Sequence, residues 1–133
     1  MELFSNDYVT ISLDESIPCL EWIGKKFISS EAFRESEEKS LSFYRDYVTK
    51  YPNLQWYVDA RKVGAISHND TEWVAKSILP HFAMLGLKKE AFVVPESAFG
   101  KVAINDYKSE SGDTIKIEVF DSELKAKTWL REG

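Results

Sequence analysis

Six residues whose side chains could form a functional site lie at the end of an apolar segment, Leu54 to Ala60, and in the stretch that follows it. They are Asp59, Arg61, Ser67, His68, Asp70 and Trp73. The segment predicts a buried strand, and a loop, Lys62 to Asn69, leads from it to an amphipathic helix. Because open α/β sheets bind ligands and partners at the carboxyl ends of their strands, we expect any site of this chain to lie there.

Asp59 and Arg61 are two residues apart on the predicted strand, so their side chains share one face of it. Arg61, oriented by Asp59, would recognise an anion or a protein partner through charge-assisted hydrogen bonds. The simpler alternatives are a structural ion pair with no function of its own, or Asp59 capping the next loop.

Ser67, His68 and Asp70 flank the predicted start of the helix. A histidine near a carboxylate can act as a general base, yet no nucleophile accompanies His68 in a recognisable pattern. Ser67 would gain from phosphorylation at a helix N-terminus, and its simpler role is that of a helix cap. Trp73 would line a pocket or pack in the core. We therefore predict a binding site and no catalytic residue.

Composition argues against several function classes. A net charge of −5 is a poor match for phosphate backbones, so we expect no nucleic-acid partner. Cys19 is the single cysteine and lies in an apolar run, which predicts a small buried side chain in a reducing compartment. The two histidines, His68 and His81, are too few and too scattered for a metal centre. We expect no metal and no cofactor.

Length and hydropathy predict one domain, residues 1–133, in the cytoplasm. A chain of 133 residues with 44% apolar residues is long enough to bury one core. No apolar run approaches the ~20 residues that cross a bilayer. The first residues lack the basic and apolar regions of a signal peptide.

Hydrophobic periodicity predicts strands that alternate with helices. The predicted strands are Tyr8 to Leu13, Ile17 to Ile23, Leu54 to Ala60, Glu90 to Pro95 and Thr114 to Phe120. The predicted helices run from about Glu31 to Tyr51, capped by Ser29 or Ser30; from Asn69 or Asp70 towards Gly86, with a break near Pro80; and from Asp121 or Ser122 onward. The stretch from Glu96 to Tyr107 is short and mixed: the order of elements leaves a place for a helix there, but Gly100 and Asn105-Asp106 interrupt any helix. Ser109 to Asp113 is predicted as a loop.

The first predicted helix has an uneven apolar face. Its middle, Arg34 to Lys39, is strongly polar, so either the helix packs closely through Ser36 and Ser40 or it begins nearer Ser40. The charged run Glu35 to Lys39 is typical of a solvated helix face. The order of elements predicts an α/β fold with a mostly parallel sheet, an antiparallel N-terminal hairpin and helices packed on the sheet.

Several segments resemble the SpoIIAA-like family, which includes STAS domains and STAS/SEC14-like proteins. They are Trp56 to Arg61 leading to Asp70 to Trp73 and Pro80, then Gly86 to Ala91 followed by Val93, Val94 and Pro95, and finally Phe120-Asp121 with Ala126 to Leu130. The resemblance covers the chain from about Leu54 onward and is closest to small stand-alone bacterial members. The matching positions are packing and turn positions, which specify a fold more than a chemistry.

The resemblance implies a non-enzymatic binding or regulatory module. In the family's anti-sigma-factor antagonists, a serine at a helix start after the central strand is phosphorylated. Ser67 lies near that place, but the loop here, Val63 to Asp70, lacks the Asp-Ser type of motif. The SEC14-like label implies lipid binding, for which this chain is too short to build a deep pocket.

We therefore expect a module that binds a protein partner or a small ligand near Asp59, Arg61 and Ser67 to Trp73. The alternative is a small enzyme, or a lipid- or anion-binding protein, that uses Asp59, Arg61 and His68. A third hypothesis is a homodimer formed through a sheet edge or a helix face.

Overall fold

The computed structural model describes residues 1–94 and 98–132, with the backbone alone over residues 98–101. Its six strands form one sheet in which each strand lies beside its neighbour in sequence. The strands are β1 (Glu2–Ser5), β2 (Val9–Asp14), β3 (Cys19–Gly24), β4 (Gln55–Asp59), β5 (Lys89–Val93) and β6 (Lys116–Phe120). The first three pair antiparallel and the last four pair parallel. The predicted α/β class and its mostly parallel sheet with an antiparallel hairpin are confirmed.

Helices follow β3, β4, β5 and β6 along the chain. They are α1 (Ser30–Tyr47), α2 (His68–Trp73), a π-helical turn (Val74–Ile78), α3 (Leu79–Met84), α4 (Ala98–Ser111) and α5 (Glu123–Arg131). Because the strand order never reverses, right-handed crossovers place α1 to α4 on one face of the sheet. Helix α5 follows the last strand and packs on the opposite face.

The core accordingly has two apolar layers. The larger layer fills the space between the sheet and α1 to α4, and the smaller one lies under α5. Trp56 belongs to the first layer and its neighbour Tyr57 to the second, as the two-residue period of a strand predicts. Cys19 is fully buried in the second layer, and burial raises the pKa of its thiol. The prediction that Cys19 acts as a small buried side chain is confirmed.

Helix α1 packs through its serines, which confirms the first of the two alternatives for its polar middle. The hydroxyl of Ser36 accepts a hydrogen bond from Trp22 Nε1 at 2.9 Å and donates to the Phe33 carbonyl at 2.6 Å. Ser40 donates to the Ser36 carbonyl at 2.9 Å. The prediction of a solvated face over Glu35 to Lys39 is wrong at Ser36 and at Glu37, which is only 5% exposed.

Two elements differ from prediction. Strand β1 was not predicted, because four residues are too few to show a period; it exists through its pairing with β2. Helix α4 runs through Gly100 and Asn105-Asp106, where an interruption was expected, and continues to Ser111. Asparagine and aspartate cost only a fraction of a kcal/mol in a helix, and burial of Ile104 and Tyr107 outweighs that cost.

The ends of the helices follow local hydrogen bonds. Ser29 caps α1, while the cap of α2 is Ser67 rather than Asn69 or Asp70. The break expected near Pro80 is confirmed as the π-helical turn, in which Leu79 N donates to the Val74 carbonyl; proline supplies no N–H to continue the regular pattern. Pro95, the predicted end of β5, lies outside the described residues. None of the helices in the described part of the chain combines the length and the apolar content needed to cross a bilayer.

Candidate functional site

Asp59 and Arg61 form a two-point ion pair at the carboxyl end of β4. Arg61 Nε donates to Asp59 Oδ1 at 3.0 Å and Nη2 donates to Oδ2 at 2.7 Å. The hydrogen bond from the guanidinium to Asp59 raises the pKa of Arg61 above its usual value. The Arg61 side chain is 45% exposed and that of Asp59 is 13% exposed. The pair therefore presents its cationic side to solvent.

His68, just after the cap Ser67, lies between two carboxylates on the surface. Its Nδ1 is 2.8 Å from Asp106 Oδ2 and its Nε2 is 3.3 Å from Glu72 Oε2. The hydrogen bond to Asp106 raises the pKa of His68. Thr71 Oγ1 also donates to Asp106 Oδ2, at 2.9 Å. These contacts tie α2 to α4.

Asp70 ties α2 to α1 instead. It is 4% exposed, and its Oδ1 accepts hydrogen bonds from Ser30 Oγ and Arg34 Nε, both at 2.8 Å. The guanidinium of Arg34 lies over the ring of Trp73, 4.8 Å from its centroid. Within the described part of the chain, no hydrogen bond or ion pair joins these residues to the Asp59–Arg61 pair. The six predicted residues thus form separate contacts rather than one constellation.

A cavity of about 60 Å³ lies beneath the segment that carries these residues. It lies between the sheet and α1, α2 and α4, along β4 and β5 rather than at their carboxyl ends alone, since Trp56 and Glu90 are the second residues of these strands. Its wall is mostly apolar and aromatic. The lining residues are Trp22, Phe33, Glu37, Trp56, Val58, Ala60, Val63, Ile66, Thr71, Val74, Glu90, Phe92, Ala103, Ile104 and Tyr107.

Two carboxyl groups stand in this wall. Glu37 comes from α1, in the buried stripe that also holds Phe33 and Ser40. Glu90 comes from β5, directly beside Trp56 on β4, and is 1% exposed. Tyr107 Oη donates to Glu90 Oε1 at 2.7 Å. One carboxyl therefore belongs to the helix layer and the other to the sheet.

Two buried polar atoms of the wall lack a hydrogen-bond partner among the described residues. They are Glu37 Oε2 and Trp56 Nε1. An unpaired buried polar atom costs about 1–3 kcal/mol, and most such atoms in folded proteins are satisfied by protein or water. Both residues belong to the wall of the same cavity, although the two atoms themselves are enclosed by protein.

Burial controls the protonation of this pair. Burial raises the pKa of Glu37 to about 8. It also raises the pKa of Glu90 well above its usual range; the hydrogen bond from Tyr107 opposes this rise and the charge of Glu37 adds to it. Both groups are therefore protonated at neutral pH, and each can donate as well as accept a hydrogen bond.

A lid loop, residues 60–67, covers the cavity. Val63 and Ile66 point into the cavity wall from this loop, and Gly64 turns the chain with φ +72°, a conformation that favours glycine. A Cβ atom on Gly24, at the end of β3, would overlap Val63 Cγ1. Val63 of the lid loop therefore packs against Gly24 of the sheet, at a position where only glycine leaves room for it.

Sequence reasoning missed Glu37 and Glu90. Glu37 carried a signal, since it lies four residues after Phe33 and three before Ser40 on the packing face of the helix. Glu90 also carried a signal. It lies in the predicted apolar strand, two residues before Phe92, and the two-residue period of a strand puts both side chains on one face.

Metal binding finds little support in the acidic groups among the described residues. Asp14, Cys19 and Glu21 lie close together, but Lys127 Nζ sits among them, 2.8 Å from Asp14 Oδ2 and 2.6 Å from Glu21 Oε2. His68, Glu72 and Glu110 form a second group, in which Glu72 and Glu110 already contact Lys76.

Comparisons with protein-family models, with curated protein sequences and with solved structures found no match for this chain.

Proposed function

We propose that the chain is a non-enzymatic binding module of the SpoIIAA-like (STAS-like) type that holds a small ligand in the cavity beneath the lid loop. The observation that carries the proposal is the cavity itself, whose wall is mostly apolar and aromatic and includes two buried acidic residues, Glu37 and Glu90. Ligand sites are typically apolar concavities with a few polar groups that fix orientation. This cavity has that composition.

The residues predicted from sequence act in this proposal as supports for the cavity. Ser67 caps α2, Asp70 holds α2 against α1, and His68 with Asp106 holds α2 against α4. Rigid support keeps binding groups in place. The Asp59–Arg61 pair lies where β4 ends and the lid loop begins, and its exposed guanidinium would contact a protein partner that senses the bound state.

The test is a binding experiment in which the cavity is filled by mutation. Since about 150 Å³ of apolar cavity holds a benzene-sized molecule, a cavity of about 60 Å³ suits ligands of roughly two to three heavy atoms. A set of neutral, cationic and anionic compounds of that size would be titrated while the indole N–H signals of Trp22 and Trp56 are followed by NMR.

Ala103→Leu fills the cavity from α4, and Ala65→Leu adds the same side chain on the exposed part of the lid loop. We expect saturable changes at the two indoles in the wild type and in Ala65→Leu, and none in folded Ala103→Leu. Absence of binding by every compound, or equal binding by Ala103→Leu, would overturn the proposal.

A further inference from the structure

Strand β6 forms an open edge of the sheet. It is the last strand in the order, and within residues 1–94 and 98–132 no strand pairs with its outer side. A groove runs along that side between α4 and α5, and residues from both faces of the strand line it, such as Ile117 and Glu118. An unpaired strand edge is a template on which another strand can pair.

The other edge of the sheet, β1, is less suited to pairing. Its register against β2 shifts between Glu2 and Phe4, and an irregularity of this kind disturbs the hydrogen-bonding pattern of an edge. Strand β6 pairs with β5 without a shift from Lys116 to Phe120. The regular edge of the sheet is therefore that of β6.

The backbone groups on the open edge belong to the odd-numbered residues of β6. Lys116 N donates to the Lys88 carbonyl at 2.9 Å, so the backbone of Lys116 faces β5. Backbone N–H and C=O groups alternate in direction from one residue of a strand to the next. Ile117 and Val119 therefore direct theirs outward.

We propose that the edge of β6 binds β6 of a second copy of this chain, antiparallel and with the two-fold axis at Ile117. This dimer is a defined form of the sheet-edge homodimer, and it does not depend on the cavity beneath the lid loop. Ile117 lies opposite Ile117 of the second copy, where the two outward-facing residues exchange two backbone hydrogen bonds. Val119 lies opposite Ile115 of the second copy. The six strands of each copy then continue into one sheet across a self-complementary interface.

Two charges on β6 select this register. Lys116 and Glu118 are exposed, lie on the same face of the strand, and form no ion pair with another described residue. With the axis at Ile117, Lys116 of each copy lies directly opposite Glu118 of the other, so the dimer contains two pairs of opposite charge. An axis at Lys116 or at Glu118 would place like charges opposite each other, and an axis at Val119 would leave both charges unmatched.

The carboxylates that flank β6 oppose the dimer weakly. Asp113 would lie opposite Asp121 of the second copy, but both residues lie outside the strand. Asp121 Oδ1 is 3.0 Å from Lys125 Nζ, which offsets its charge. Lys116 and Glu118 would instead form non-hydrogen-bonded pairs within the ladder, where facing side chains come closest.

Sedimentation velocity of the whole chain, from roughly 10 µM to 1 mM, measures the dissociation constant of the dimer. We expect the wild type to dimerise as its concentration rises. Lys116→Glu alone and Glu118→Lys alone should each raise the dissociation constant about tenfold or more, because both cross-strand pairs then carry like charges. An equimolar mixture of the two variants should dimerise like the wild type, because each lysine of one variant then faces a glutamate of the other.

Lys50→Glu is the matched control. It makes the same change of charge at an exposed residue after the end of α1, so it should dimerise like the wild type. Restored dimerisation in the mixture also shows that neither reversal on β6 acts by unfolding the chain.

Amide hydrogen exchange followed by NMR locates the interface without any substitution. In the wild type, exchange of the Ile117 and Val119 amides should slow as the concentration rises. Exchange of the Lys116 and Glu118 amides, which face β5 in the monomer, should change little.

A wild type that stays monomeric up to about 1 mM would overturn the dimer. A dimer that survives both charge reversals, or that leaves exchange of the Ile117 and Val119 amides unchanged, would show that another surface is used. A mixture of the two folded variants that stays monomeric would rule out the register centred on Ile117.

Discussion

Glu37 sets a pH dependence for the whole fold although it is a single side chain. Its pKa lies near 4.5 when exposed and is raised to about 8 in the folded chain. Below about pH 4.5 both the folded and the unfolded states are protonated, so burial carries no ionic penalty. Between pH 4.5 and 8 only the unfolded state ionises, and the free energy of unfolding falls across that window.

Glu37→Gln removes this dependence, because a glutamine amide has nearly the same shape and does not ionise. We expect the variant to be more stable than the wild type at pH 8, by an amount on the order of a few kcal/mol, since one pKa unit is about 1.4 kcal/mol. At pH 4.5 the two should differ little. Urea unfolding at both pH values measures the change.

Glu38→Gln is the matched control, since Glu38 is exposed on the same helix. It should leave the free energy of unfolding unchanged at both pH values. An equal effect of Glu37→Gln at pH 4.5 and pH 8 would contradict the assignment of the pH dependence to this residue.

At the scale of single residues, the sequence predicts contacts between residues that are close along the chain. It does not predict contacts between residues that only the fold brings together. The Asp59–Arg61 ion pair and the Ser67 cap were among the predicted alternatives, because each joins residues within three positions of one another. Glu37 and Glu90 line the same cavity although they are 53 residues apart in the sequence (90 − 37). No periodicity within one segment reports that the packing faces of α1 and β5 meet.

At the scale of elements, the packing of Val63 against Gly24 of β3 holds the lid loop over the cavity. Gly24→Ala places a methyl group against Val63, and overpacking of this kind costs about 1–3 kcal/mol. We expect the lid to move off the sheet, so that hydrogen exchange of the backbone amides of residues 61–67 becomes faster. Exchange measured by mass spectrometry reports the change.

A second substitution separates the steric effect from a general weakening of the strand. Val63→Ala removes the atom that a Cβ on Gly24 would meet, so Gly24→Ala with Val63→Ala should return exchange of the lid amides to the wild-type rate. If the double variant exchanges as fast as Gly24→Ala alone, the contact does not hold the lid in place.

Elements could be predicted from the sequence where the spacing of apolar residues is regular. Strands β2 to β6 lie within a few residues of the predicted segments, and the break beside Pro80 follows from the missing N–H of proline. Strand β1 was not predicted, and the helix after β5 was predicted only as an uncertain, interrupted one, for opposite reasons. The first is too short to show a period, and the second contains Asn105 and Asp106, whose weak local preference is overridden by packing of Ile104 and Tyr107.

At the scale of the whole molecule, Lys127 joins the last helix to the N-terminal hairpin. Its Nζ contacts Asp14, Glu21 and Glu123. Burial raises the pKa of Asp14, but hydrogen bonds from Lys127 and Ser16 outweigh it and hold that pKa at about 2. This stabilisation is therefore complete above about pH 4 and is lost as the pH falls towards 2.

Lys127→Met keeps the apolar stem and removes the charge. We expect a loss of about 1–3 kcal/mol at pH 7, as for other hydrogen bonds to charged groups, and a smaller further loss between pH 4 and pH 2 than in the wild type. Thermal unfolding across this pH range gives both quantities. Lys125→Met, which removes an exposed pair with Asp121, should change little, and equal effects of the two variants would contradict the role of Lys127.

The uninterrupted order of the six strands bears on how the chain is made. During synthesis each strand emerges after its neighbour, so it can join an edge that already exists, and none has to be inserted between two paired strands. The sheet can grow in one direction while the ribosome is still adding residues. Helix α5 leaves the ribosome after all six strands and bridges back to the hairpin of β2 and β3, so its docking joins the two ends of this order.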